Sequence, residues 1–107
     1  MSTFIKLNEI KQVEMIPGYN ARLIHTNNMT ISHLEIEKGS KLPEHHHYHE
    51  QVSQVIEGKF ELTINGVSQV MEQGNIAIIP SNAIHSGFAI TACKVMDIFH
   101  PVREDYR

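Results

Sequence analysis

Apolar and polar positions along this chain change over short distances, at the period of two expected of strands that bury one face. Residues 60–64 show it most plainly, with Phe60, Leu62 and Ile64 separated by Glu61 and Thr63. Residues 29–37 are rich in β-forming side chains and end at Lys38-Gly39. Further strand-like runs fall at 52–56, 67–71, 76–79, 84–90 and 92–99. Turn residues separate them: Glu57-Gly58-Lys59, Asn65-Gly66 and Glu72-Gln73-Gly74-Asn75. Asn-Gly is a strong hairpin signal, because a tight two-residue turn needs positive φ at both positions. After residue 20 no window of eleven residues carries helical periodicity. Before it, residues 7–13 suit a helical turn that leads into Pro17-Gly18. Many short strands at regular spacing predict an all-β sandwich or barrel.

Composition narrows the class. With 107 residues, 41% of them hydrophobic and 20% charged, the chain suits a single compact domain over 1–107. No linker, repeat or low-complexity tract divides it. The apolar run at 76–79 is far too short to cross a membrane, and the first residues lack the pattern of a signal peptide. A single cysteine, Cys93, excludes an intramolecular disulfide; with no secretory signal, a reducing, cytoplasmic location is expected. Cys93 sits in an apolar strand pattern and reads as a small core residue. A net charge of −3 without a basic run argues against nucleic acid as a partner.

The chemistry concentrates in residues 39–51, where four of the eight histidines lie. His45 and His47 are two apart, so on a strand they point to the same face. His85, from a separate strand after Pro80, offers a third imidazole, and Gln51 an amide oxygen. Glu50 rivals Gln51, since carboxylates bind metals better than amides. Such a nitrogen and oxygen set suits one divalent transition metal (Ni, Mn, Fe, Co or Zn) rather than Mg or Ca. A solvated basic loop is the plain alternative. His46 should face away from the pair, and the role of His49 stays open. His25, His33 and His100 lack paired spacing and read as ordinary strand or surface residues.

These spacings resemble a family. Gly39, His45, His47, Gln51 and Gly58 follow the first cupin motif, and Gly74, Pro80 and His85 the second, with Asn82 where glycine is usual. The resemblance implies a double-stranded β-helix, a jelly-roll barrel with a metal inside. Most cupins carry glutamate at the position of Gln51. That departure, with the stretch 55–64 and the ending Asp97-Ile98-Phe99 through Pro101, Arg103, Glu104, Asp105 and Tyr106, is similar to the pectin-degradation cupins of the KdgF type.

The KdgF-type resemblance implies metal-dependent ring opening of 4,5-unsaturated uronates from pectin or alginate to linear 5-keto-4-deoxyuronate. Small cupins of this kind are expected to form homodimers. In that chemistry Asp97 would act as acid or base, Arg103 would hold the substrate carboxylate as a fork, and Phe99 would wall the sugar site. Alternation places Asp97 and Phe99 on one strand face. Without the resemblance, Phe99 would read as core and Arg103 as a solvated terminal charge. Other readings are a cupin dioxygenase or sugar isomerase, and a non-catalytic module that binds a sugar or metal.

Overall fold

The computed structural model describes residues 3–107. Ten strands follow one another: β1 Val13–Ile16, β2 Tyr19–His25, β3 Thr30–Ile36, β4 Lys41–His45, β5 Glu50–Glu57, β6 Phe60–Ile64, β7 Val67–Met71, β8 Ile76–Ile79, β9 His85–Ala89 and β10 Cys93–His100. They form a six-stranded sheet ordered β1-β2-β3-β10-β5-β8 and a four-stranded sheet ordered β4-β9-β6-β7. All strand pairs are antiparallel. The two sheets close over one core that includes Tyr19, Ile36, Val55, Phe60, Leu62 and Val95. This is a jelly-roll barrel.

The hairpin expected at Asn65-Gly66 is present. Both residues have positive φ, 48° and 80°, and Ile64 pairs with Val67 across the turn. The helical turn expected near the start is a single 3-10 turn, Leu7–Glu9. β1 and the start of β2 lie before residue 20, where no strand was expected. β1 is four residues long and half exposed, so it lacks a buried alternating face, and only its hairpin with β2 defines it. Pro43 sits within β4, which is an edge strand and so tolerates a missing N–H. Cys93 is buried as expected. Its thiol donates to the Lys59 carbonyl at 3.1 Å, and burial pushes its pKa up.

Register sorts the six-stranded sheet into rows. Inside the barrel, Leu23, Ser32, Asp97, Ser53 and Ala77 stand side by side on five strands. The neighbouring inward row runs His25, Thr30, Phe99, Gln51, Ile79. A polar band therefore crosses the interior above an apolar floor that contains Leu34, Val95 and Val55. On the outer face, Ile24, Ile31, Ile98, Val52 and Ile78 make a continuous apolar row.

Two glycines share a left-handed backbone but differ in surroundings. Gly58 has φ +89°, and a Cβ there would lie 2.3 Å from the Ala92 carbonyl oxygen; Gly66 has φ +80° and open space around it. Gly66→Ala should cost about 1 kcal/mol from the backbone alone. Gly58→Ala should cost about 3 kcal/mol, because a backbone clash adds to the strain. Urea denaturation of the two variants checks this, and equal losses would contradict it.

Candidate metal centre

His45 closes β4, where a register irregularity follows Leu42, and it pairs directly with His85 at the start of β9. His47 does not share that strand, contrary to expectation. It lies just beyond β4, before the bend at Tyr48-His49, and the in-and-out alternation of burial continues from His45 through His47 to Gln51, which keeps its ring on the same side. The neighbouring loop pins this bend. Asn82 N–H donates to the His47 carbonyl at 2.8 Å, and Ser81 Oγ donates to the Tyr48 carbonyl at 2.5 Å. Asn82 holds φ +62°, a left-handed conformation that asparagine tolerates, which accounts for its place at a usual glycine position.

The three rings converge. Centroids lie 4.1 Å apart for His45 and His85, 5.0 Å for His47 and His85, and 5.7 Å for His45 and His47. One nitrogen from each lies within 4.8 Å of the others. The opposite nitrogens are committed: Nδ1 bonds the Pro43 carbonyl in His45 (2.8 Å), the His49 carbonyl in His47 (3.0 Å) and the Ala83 carbonyl in His85 (2.9 Å). A carbonyl oxygen only accepts, so each Nδ1 carries the proton and each Nε2 keeps a lone pair. Nε2 of His47 and of His85 is buried with no hydrogen-bond partner. Burial, with the Arg103 charge next in weight, pushes the His47 pKa down to about 4. Burial lowers His85 as well. Two buried, unpartnered Nε2 atoms converging with a third imidazole suit a divalent transition metal.

The other predicted residues fall into two groups. Gln51 is buried on the inward face of β5, while Glu50, its rival, is exposed on the other side. His46 and His100 are exposed, and His33 stands on the outer sheet face. Neither Glu50 nor His33, His46 or His100 joins the imidazole cluster. His49 is buried beside Tyr48, with ring centroids 4.1 Å apart, but its ring lies outside the cluster.

A cavity of about 210 Å³ opens beneath the histidines, and Gln51, Asp97, Phe99 and Arg103 line it with them. Asp97 is buried between Ser32 and Ser53 on neighbouring strands. Burial pushes its pKa up to about 6, against Ser53, Gln51 and Arg103, which favour the ionised form. Its Oδ1 has no hydrogen-bond partner. The Phe99 ring stands 5.7 Å from that of His47, edge to face.

Arg103 is buried rather than solvated, at 7% exposure. Its guanidinium lies 3.9 Å from the Tyr106 ring centroid and 4.8 Å from that of Phe99. The fork expected for a substrate is occupied: Nε and Nη2 donate to the two Asp105 oxygens at 3.0 and 2.8 Å. Only Nη1 lies outside that pair. Asp105, Tyr106, Ser32 and Ser53 were not singled out from the sequence. The serines had a signal, as polar residues on the inward parity of their strands. Asp105 and Tyr106 had none beyond their place in the ending.

A jelly-roll barrel with three histidines positioned to hold a metal defines the class. Residues 32–99 match the Cupin domain family, and the chain belongs to the cupins. It is similar to the pectin degradation protein KdgF of Dickeya dadantii (strain 3937), at 29% identity over 65 residues. That match spans 60% of this chain and 59% of the relative, less than two thirds of that protein. Among solved structures it resembles KdgF from Halomonas sp., with a TM-score of 0.93, 24% identity and full coverage of both chains. It also resembles an RmlC-like cupin from Shewanella frigidimarina NCIMB 400, with a TM-score of 0.94 and 25% identity over 100% of this chain and 97% of that one. The Halomonas likeness, at that identity, is one of fold.

Elemental analysis after dialysis tests the centre. His85→Ala should lose the bound metal, Gln51→Ala should weaken its retention, and Glu50→Ala should keep it. Full occupancy in His85→Ala would contradict the centre. Normal retention by Gln51→Ala with loss in Glu50→Ala would reverse the choice of fourth ligand.

Proposed function

We propose that this protein opens the ring of 4,5-unsaturated uronates to linear 5-keto-4-deoxyuronate. The observation that carries the reading is one cavity that joins three converging imidazoles to a buried carboxylate with a free oxygen, Asp97 Oδ1. The pectin-degradation relative supports it.

The reaction moves one proton and involves no redox change. The substrate is a cyclic hemiacetal whose ring oxygen is also an enol ether oxygen. When the bond between C1 and the ring oxygen breaks, the C1 hydroxyl loses its proton and becomes an aldehyde. The ring oxygen takes the electron pair as an enolate beside the carboxylate, and protonation at C4 gives the ketone. His45, His47 and His85, with the Gln51 amide oxygen as fourth ligand, would hold a divalent cation that supplies a Lewis acid for the enolate and the adjacent carboxylate. Asp97 receives the hydroxyl proton and returns it to C4. Its unpartnered oxygen is free to face the substrate. Arg103, with its other edge bonded to Asp105, offers the carboxylate a contact from Nη1 rather than a two-pronged fork. Phe99 walls the sugar and keeps water from the breaking bond.

The test follows loss of absorbance from the C4–C5 double bond of unsaturated galacturonate. Wild type should turn it over. Asp97→Asn should lower kcat by about 10²–10⁴-fold with the metal retained. No turnover by metal-loaded wild type would overturn the proposal, and wild-type turnover by Asp97→Asn would remove Asp97 from the mechanism.

A further inference from the structure

Arg103 is held from outside the cavity. After β10 ends at His100 the chain turns back, and the Arg103 backbone N–H donates to Thr30 Oγ1 at 2.8 Å. Thr30, the first residue of β3, is 0% exposed. Its hydroxyl makes a second hydrogen bond, at 2.9 Å, with Nδ1 of His25, the last residue of β2. Register sets both contacts, because Thr30 pairs with Phe99 on one side and with His25 on the other. The connection between His25 and Thr30 is itself bonded. Thr26 N–H donates to the Met29 carbonyl at 2.9 Å, and Thr26 Oγ1 accepts from the N–H groups of Asn28 and Met29.

The His25 ring also lies against the far end of the same turn. The Tyr106 carbonyl and the Glu104 charge favour its protonated form, while burial and Arg107 oppose it. One hydroxyl and one imidazole thus touch the segment that carries Arg103, Asp105 and Tyr106 near both of its ends. Nothing in the spacing of His25 pointed to this, since it pairs with no other histidine in sequence.

We propose that Thr30 and His25 are positioning residues: their hydrogen-bonded pair fixes the Arg103 backbone and, through it, the place of the guanidinium at the cavity wall. The inference rests on the reading that Arg103 meets a substrate carboxylate. A buried hydroxyl that merely satisfied one N–H would hold the backbone without affecting the guanidinium. Those two roles separate experimentally.

The experiment compares Thr30→Val, which keeps the shape and removes the hydroxyl, with Thr30→Ser, which keeps the hydroxyl. Two quantities are read: hydrogen exchange at the Arg103 Nε–H by NMR without substrate, and the kinetics of unsaturated galacturonate. Thr30→Val should speed that exchange and raise KM roughly tenfold, with kcat and metal content near wild type. Thr30→Ser should restore both. His25→Phe should shift both in the same direction by less, and it serves if Thr30→Val does not fold. Wild-type exchange and KM in Thr30→Val would overturn the proposal, as would a Thr30→Ser variant as impaired as Thr30→Val. If wild type fails to turn over the uronate, the ring-opening reading falls, and the exchange measurement alone decides whether the pair holds Arg103.

Discussion

Three hydrogen bonds from imidazole Nδ1 to backbone carbonyls set the character of this site. Each carbonyl lies two residues from its histidine: Pro43 for His45, His49 for His47, Ala83 for His85. Ring orientation is therefore held by contacts within two residues of each histidine. What the fold adds is convergence. Pairing of β4 with β9 brings His45 beside His85, and His47, two residues on, joins them. Burial then disfavours the charged forms of His47 and His85, which leaves lone pairs where hydrogen bonds are missing. A buried nitrogen without a partner is costly, and a cation held by the cluster would relieve two of them, Nε2 of His47 and of His85, at once.

The second constraint is charge inside a barrel. Asp97 and Arg103 are both buried, and each influences the other: the guanidinium favours the ionised carboxylate against the pull of burial. Arg103 is kept there by aromatic faces and by Asp105, whose side chain reaches solvent while its oxygens hold the fork. The same positive charge discourages protonation of His47, His49 and His85. One arginine thus acts on both the histidine cluster and the carboxylate, while burial is the larger influence on each.

Much of this was legible in the sequence because it depends on period and spacing. Alternation located the strands from residue 29 onward, and Asn65-Gly66 marked its hairpin. The pairing of Asp97 with Phe99 on one face followed from parity, whereas spacing left Gln51 and Glu50 as rivals until burial separated them. Other features depend on contacts between distant segments. β1 is defined by its partner rather than by its own pattern. The burial of Arg103 arises where the terminus folds back onto Thr30, a contact across 73 residues of chain. The roles of Asp105 and His25 follow from that same return and leave no trace in local sequence.

The central claim is that three histidines present Nε2 to one metal while Nδ1 stays bonded to backbone. The most direct measurement is NMR of protein labelled with ¹⁵N-histidine, recorded during titration with Zn(II). The account predicts that His45, His47 and His85 carry their protons on Nδ1 before metal is added, and that the three Nε2 resonances shift together at one equivalent. A proton on Nε2 in any of the three, or metal shifts confined to the exposed His46 and His100, would contradict it.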